Sequence, residues 1–189
     1  MAAGIFIERI DDVAVFLIVM IIVLVGADQA VKYWAVDSLQ PKGSMEFIHI
    51  GDFRIIDLTY LENDGAIFGS MSGQRWFLVG FTSIVLIACA VFLVKVFKRS
   101  KLLDIAVSLF IAGGIGNLID RIRFSYVVDM FEIKLFHFAI FNVADICVTV
   151  AFALLIWYGV FIDPKIEKSK KAAAKISAEL ETTKESGDE

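Results

Sequence analysis

WFLVGFTSIVLIACAVFLV, residues Trp76–Val94, contains no charged side chain over 19 positions. A helix rises about 1.5 Å per residue, and about 20 mostly apolar residues are needed to cross the hydrocarbon core of a bilayer. The stretch therefore predicts a transmembrane helix, around which the rest of the chain has to be arranged.

Three further apolar blocks flank this one. Val13–Ala27 and Ile105–Ile119 are uncharged over 15 residues each, and Phe136–Ile162 is interrupted only by His137, Asn142 and Asp145. Hydrophobic residues make up 58% of the 189-residue chain, and its mean hydropathy is +0.75. Both values exceed those of an ordinary soluble domain. The pattern predicts an all-α polytopic membrane protein with four spans, at about residues 13–36, 76–96, 102–121 and 136–162.

Basic residues near the span ends predict the orientation, because Lys and Arg are concentrated in cytoplasmic loops. The link between the second and third spans is basic and contains no acid: Lys95, Lys98, Arg99 and Lys101. The chain after the fourth span is also rich in lysine. Both parts are expected in the cytoplasm, and four spans then place both termini there.

The longest link between spans, at about residues 38–75, is expected on the extracytoplasmic side. Within it, Phe47–Leu61 has β-branched and aromatic residues on both sides of Gly51-Asp52. This predicts two strands joined by a turn, and hence a small extracytoplasmic β-structure. Residues 1–162 then form one membrane domain, followed by a charged, aromatic-free cytoplasmic tail at 163–189.

Polar side chains from three spans reach one depth. At about 1.5 Å per residue, Asp28 lies roughly 23 Å from the cytoplasmic face, and Asp120 and Asp145 roughly 26 Å from it. Asn117 and Asn142 each lie three residues before an acid, on the same helical face. Acids within a membrane usually face the bundle interior and mark function. We therefore expect a polar site just beneath the outer surface.

The chemistry of such a site is not decided by spacing. Two neighbouring Asp side chains share a proton and so provide a base and an acid, as an aspartic peptidase needs. Membrane acids also serve as proton relays in transporters, and a structural protein could carry them as ion pairs, for which Asp28 and Lys32 have the right spacing. Depth alone would pair Asp145 with Asp120. The two histidines, His49 and His137, are far apart in the sequence, so no metal site is expected.

Five short motifs resemble, in order, those of the lipoprotein signal peptidase (signal peptidase II) family. They are Asp28-Gln29-Ala30-Val31-Lys32, Asn63-Asp64-Gly65-Ala66-Ile67-Phe68-Gly69, Gly116-Asn117-Leu118-Ile119-Asp120-Arg121, Val127-Val128-Asp129 and Phe141-Asn142-Val143-Ala144-Asp145. Each motif is weak alone, but the five together are highly specific. The resemblance covers about residues 26–157.

The resemblance implies an aspartic endopeptidase of the bacterial cytoplasmic membrane, with its active site near the extracytoplasmic face. It implies removal of the signal peptide from diacylglyceryl-modified prolipoproteins, before the lipidated Cys, without a metal or other cofactor. Carried over by position, the catalytic pair is Asp129 and Asp145. The supporting or substrate-binding residues are Asp28, Lys32, Asn63, Gly65, Asn117, Asp120, Arg121 and Asn142.

Further expectations concern partners and access. The chain is expected to be a monomer among membrane lipids, to bind no nucleic acid, and to be inhibited by globomycin-type antibiotics. The substrate's signal helix is expected to enter sideways from the lipid, while the outer segment closes over the site. Ile67 stands where the family usually has Ala, which predicts an altered loop there.

Overall fold

The computed structural model describes residues 12–65 and 71–166. Within them are four helices long and apolar enough to cross a membrane, as predicted. Their bounds are α1 (Asp12–Trp34), α2 (Arg75–Val96), α3 (Lys101–Phe124) and α4 (Val143–Trp157). The helices α1 and α4 each continue into a π-helical turn, at Ala35–Leu39 and Tyr158–Ile162. The predicted change at Ile67 and most of the predicted tail, 167–189, lie outside the described residues.

The helix α3 lies at the centre of the bundle, where α1, α2 and α4 all pack against it. Small residues permit this, since membrane helices associate most closely where glycine and alanine lie between them. A Cβ atom at Gly116 would come within 2.5 Å of Asp28 Oδ2 on α1 and 3.2 Å of Ala144 Cβ on α4. At Gly114 it would lie 2.6 Å from Leu86 Cδ2 on α2. These glycines therefore allow α1, α2 and α4 to lie close to α3.

A three-stranded antiparallel sheet caps one end of the bundle, which we call the sheet end. Its strands are β1 (Ser44–Ile50), β2 (Phe53–Asn63) and β3 (Val127–Ile133), in the order β1-β2-β3. The predicted hairpin at Gly51-Asp52 is confirmed: Ile50 pairs with Phe53, and Gly51 has a φ of +60°. Positive φ favours glycine because it has no Cβ atom.

The third strand was not predicted from the sequence, where only the two strands of the long outer segment were expected. Ser125 ends α3 in the left-handed region, with a φ of 77°, and this reverses the chain. Residues Val127–Ile133 then pair with β2, from Val127 opposite Asn63 to Ile133 opposite Ile56. The sheet therefore connects the end of α3 to the long outer segment.

The fourth helix begins at Val143 rather than at residue 136 as predicted. Phe141 instead forms a β-bridge with Phe131 of β3, through backbone bonds in both directions. Asn142 then caps the helix with its side chain. The residues before Val143 are apolar, so the predicted span wrongly included a segment that pairs with the sheet.

Buried side chains fix the sheet on the bundle. Ala35 and Leu39, in the turn that follows α1, pack against Leu58 of β2 and against Val128 and Met130 of β3. These five residues are at most 6% exposed. The sheet is thus packed onto the end of α1 at the sheet end.

Candidate active site

Two asparagine amides connect Asp129 with Asp145. Asn142 Nδ2 donates to Asp129 Oδ1 at 2.6 Å and to Asn117 Oδ1 at 3.0 Å. Asn117 Nδ2 in turn donates to Asp145 Oδ1 at 2.8 Å. Both carboxyl groups line one cavity of about 330 Å³. The predicted pair therefore faces a common space that could hold a reacting group.

The first turn of α4 positions Asp145. Asn142 Oδ1 accepts a hydrogen bond from Asp145 N at 3.0 Å, and Asp145 Oδ2 accepts one from Asn142 N at 3.1 Å. This reciprocal pair is a capping box, which satisfies amide groups that a helix start leaves unpaired. A negative charge is also favoured there by the helix dipole. One asparagine thus caps α4 and links its acid to Asp129.

Asp129 enters the site from β3 and is only 1% exposed. Its Oδ2 accepts a hydrogen bond from Asn63 Nδ2, at the end of β2, at 2.9 Å. Burial raises the pKa of Asp129 to about 7, because a charge is poorly solvated there. The nearby charge of Asp145 also raises that pKa, while the two asparagine amides oppose the rise.

Lys32 of α1 lies beside these residues and contacts α3. Its Nζ is 2.9 Å from Asp28 Oδ2 and 3.0 Å from Asp120 Oδ2, and it donates to Asn117 Oδ1 at 2.9 Å. The side chains of the three charged residues are at most 4% exposed. The pairing expected for Asp28 and Lys32 is confirmed. Depth alone would pair Asp120 with Asp145, but Asp120 binds Lys32 instead.

The buried acids also tie the elements together through backbone groups. Asp120 Oδ2 accepts from Val128 N of β3 at 3.1 Å, and Asp28 Oδ1 accepts from Ala144 N of α4 at 2.9 Å. Gln29, which sequence reasoning did not select, donates through Nε2 to Asp120 Oδ1 at 3.0 Å and to Gly116 O at 3.2 Å. Its position beside Asp28, in the first of the five motifs, was the available signal.

Arg121 also lines the cavity and is connected to Gly65. Arg121 Nη2 donates to Gly65 O at 2.9 Å, and Gly65 N donates to Asn63 Oδ1 at 3.1 Å. Arg121 Nε is buried without a hydrogen-bond partner among the described residues. The structure thus gathers every predicted site residue at the sheet end: Asp28, Lys32, Asn63, Gly65, Asn117, Asp120, Arg121, Asp129, Asn142 and Asp145.

The amino-acid sequence matches a known protein family. The family model described as "Signal peptidase (SPase) II" matches residues 20–161. The chain belongs to the signal peptidase II family. It is therefore a peptidase, and its four spans make it a multi-pass protein of the bacterial inner membrane. The predicted family and enzyme class are confirmed, and the transporter and structural alternatives are not favoured.

Curated relatives extend the match over most of the chain. The "Lipoprotein signal peptidase" of Lactococcus lactis subsp. lactis is 44% identical over 138 residues, which is 73% of this chain and 89% of the relative. That of Clostridium acetobutylicum is 39% identical over 151 residues, or 77% and 96%. A solved bacterial membrane enzyme is similar at a TM-score of 0.70 and 31% identity, covering 78% of this signal peptidase and 94% of that chain.

Proposed function

We propose that this signal peptidase removes the signal peptide from diacylglyceryl-modified prolipoproteins, cutting before the lipidated cysteine, with Asp129 and Asp145 as its catalytic pair. The observation that carries the proposal is the amide chain through Asn142 and Asn117, which holds both carboxyl groups at one cavity. Two acids in one site can divide the roles of base and acid.

Asp129 and Asp145 lie in different environments, which supports the role of acid for one and of base for the other. Asp129 is fully buried, and its raised pKa lets it hold a proton near neutral pH. Asp145 is half-buried and faces the cavity. Asp145 takes a proton from water, whose oxygen bonds to the scissile carbonyl carbon, while Asp129 gives its proton to the carbonyl oxygen. When the intermediate collapses, the carbon–nitrogen bond breaks, Asp145 returns its proton to the leaving amine, and Asp129 recovers its own.

The surroundings of the pair suit a substrate anchored in lipid. The cavity wall on one side consists of Phe138–Phe141 together with Val148 and Thr149 of α4. A signal helix entering from the bilayer reaches this wall without crossing water, and its diacylglyceryl group stays in the lipid. The outer segment, about residues 38–75, limits access from the other side and includes Asn63.

We propose that the sheet end faces away from the cytoplasm. The α2–α3 link lies at the other end of the bundle and carries Lys95, Lys98 and Arg99, and such basic links are typically cytoplasmic. Both termini, including the tail at 163–189, then lie in the cytoplasm. The signal peptidase works as a monomer, since the catalytic pair and its partners all come from one chain.

A cleavage assay on a diacylglyceryl-modified prolipoprotein peptide tests the catalytic pair. Asp129→Asn and Asp145→Asn should each lower kcat/KM by at least about 100-fold, because each removes a general acid or base. Asp52→Asn, a matched change in the exposed hairpin turn, should leave it unchanged. A variant of the pair that inserts normally and cuts at the wild-type rate would show that the assignment is wrong.

Two inhibitor experiments separate this mechanism from a metal-dependent one. A chelator should leave the cleavage rate unchanged, whereas a loss of activity that zinc restores would contradict the mechanism. A globomycin-type antibiotic should inhibit wild-type cleavage in competition with the lipidated peptide, because both would occupy the cavity beside Asp129 and Asp145.

A further inference from the structure

A cavity lies between α1 and α3 at the end of the bundle opposite the sheet. Both helices begin at this end, because both run towards the sheet. The cavity has a volume of about 310 Å³ and is lined by residues from the first turns of the two helices. We call it the far-end cavity. Among the described residues it shares none of its lining with the catalytic cavity.

The lining of the far-end cavity has a charged part and an apolar part. Asp12 and Lys101 are the first residues of α1 and α3, and Asp104 lies in the first turn of α3. Phe16 and Leu17 follow about one turn after Asp12 along α1, towards the middle of the membrane. A phospholipid has the same arrangement, with charges at the membrane surface and acyl chains below them.

Asp104 has a carboxylate oxygen that needs a hydrogen-bond donor. The residue is 1% exposed, and its Oδ2 accepts a hydrogen bond from Lys98 N at 3.1 Å. Its Oδ1 is buried without a hydrogen-bond partner among the described residues. Leaving a buried acceptor without a donor is costly, above all for a charged group. A primary ammonium group offers three N–H donors and a positive charge, so it suits this position.

The start of α3 favours an anion beside that ammonium group. Within the described part of the chain, Lys101 forms no ion pair with an acid. Ser100, at the N-cap of α3, makes no side-chain capping hydrogen bond there either. The first amide groups of a helix lack partners within it and carry partial positive charge. A phosphate group is bound well by such amides together with a lysine.

We propose that the far-end cavity binds a phospholipid whose headgroup carries both a phosphate and a primary ammonium group. The ammonium group binds Asp104, the phosphate binds Lys101 and the start of α3, and an acyl chain packs along Phe16 and Leu17. A glycerol headgroup offers no cation to Asp104, and a choline headgroup has no N–H to donate. The bound lipid would join α1 to α3 at the end of the bundle far from the catalytic pair.

Native mass spectrometry of the full chain tests this preference. The protein in detergent is mixed with equal amounts of phosphatidylethanolamine, phosphatidylcholine and phosphatidylglycerol that have the same acyl chains. The wild type should retain phosphatidylethanolamine about tenfold more than either other lipid, because one hydrogen bond between charged groups is worth about that factor. Equal retention of the three lipids would overturn the proposal. A preference for phosphatidylglycerol would also overturn it, since binding would then follow positive charge alone.

Two variants assign the binding to the far-end cavity. Asp104→Asn keeps the shape of the side chain but removes its charge, so it should abolish the preference over phosphatidylcholine. Lys101 is exposed, and Lys101→Gln should fold normally yet retain phosphatidylethanolamine about two- to fivefold less, as expected for an exposed charge pair. Lys165→Gln is the matched control, exposed at the same end but outside the lining, and should behave as the wild type. Undiminished retention by Lys101→Gln would overturn the proposal.

A soluble headgroup distinguishes a lipid from a small molecule with the same charges. Glycerophosphoethanolamine carries the phosphate and the ammonium group but has no acyl chains. Phosphatidylethanolamine should raise the unfolding temperature of the wild type in detergent, because a ligand that binds only the folded state stabilises it. Glycerophosphoethanolamine at the same concentration should leave that temperature unchanged. An equal rise with both compounds would overturn the lipid as the ligand, and no rise with either would overturn the site.

Discussion

Asn142 is the residue on which the candidate site depends most. Its amide nitrogen donates to Asp129 and to Asn117, and its amide oxygen caps α4 by accepting from Asp145 N. Asparagine suits this position because it offers two donor hydrogens and an acceptor on one short side chain. Aspartate or serine could cap the helix, but neither has an NH2 group to join the two carboxyl groups.

Replacing Asn142 should separate helix capping from catalysis. Asn142→Ala removes both roles and should lower the free energy of unfolding by about 1 kcal/mol through the lost cap alone. Asn142→Ser keeps a good cap but cannot reach both Asp129 and Asn117, so cleavage should fall roughly 100-fold, as misplaced catalytic groups do. Thermal unfolding in detergent and kcat/KM on the lipidated peptide measure the two effects. Wild-type cleavage by Asn142→Ser would mean that the amide chain is not needed.

The pKa of Asp129 predicts how activity depends on pH. Burial raises that pKa from 3.8 to about 7, so the proton that the mechanism requires is lost as pH rises through about 7. We expect kcat/KM to fall on the alkaline side with a midpoint there, since this parameter reports groups of the free enzyme. The measurement is a pH profile on the lipidated peptide, and a profile that stays flat or rises through neutral pH would contradict the assignment.

The stability of the fold should also decrease as pH rises, for the same reason. The folded-state pKa of Asp129 is raised above its unfolded value, so the folded state holds more protons between 3.8 and about 7. Its contribution is fully present below 3.8 and is lost as pH rises towards 7. The free energy of unfolding of the wild type should therefore decrease as pH rises across this window, and the Asp129→Asn variant should not show this decrease. A decline of equal size in that variant would assign the effect to another group.

The sequence predicted the members of the site better than their pairing. Depth along the helices located Asp28, Asp120 and Asp145 at one level, because rise per residue is nearly constant in a helix. It could not tell which acids face each other, since pairing depends on the rotation of each helix and on an unpredicted strand. Asp129 lies on that strand, β3, and only the family motifs indicated that Asp129 belongs to the site.

The helix α3 holds the site together through its glycines. A side chain at Gly116 would press on Asp28 and Ala144, and one at Gly113 would press on Ala144 and Val148. The helices α1 and α4 therefore approach α3 closely at the depth where Lys32 meets Asp28 and Asp120. Apolar runs predicted the presence of these helices, but their contact faces follow from side-chain packing, which hydropathy does not encode.

A Gly116→Ala substitution tests this packing. A Cβ atom 2.5 Å from Asp28 Oδ2 forces the helices apart, and overpacking of this kind usually costs about 1–3 kcal/mol. Gly26→Ala on α1 is the matched control, because nothing lies within 4 Å of its added Cβ. That control should be neutral or slightly stabilising, since alanine favours helix by about 0.5–1 kcal/mol. Equal unfolding temperatures for the two variants in detergent would contradict close packing at Gly116.

At the scale of the whole molecule, the site and the basic link lie on opposite surfaces. From Lys101 to Asp120, α3 rises about 29 Å at about 1.5 Å per residue, close to the hydrocarbon thickness of about 30 Å. Lys95, Lys98 and Arg99 are therefore one bilayer away from the polar layer at the sheet end. The orientation of the protein thus decides which compartment the proposed catalytic pair faces.

Labelling of single cysteines tests that orientation. In a background with Cys89→Ala and Cys147→Ala, Asp52→Cys marks the exposed hairpin turn and Lys95→Cys marks the exposed end of α2. A membrane-impermeant maleimide added to intact spheroplasts should label the cysteine at position 52 and should label that at 95 only after the membrane is opened. The expected direction follows from the positive charge of the α2–α3 link. The opposite pattern would place the catalytic pair at the cytoplasmic face, where a lipoprotein exported across the membrane could not present its signal-peptide junction.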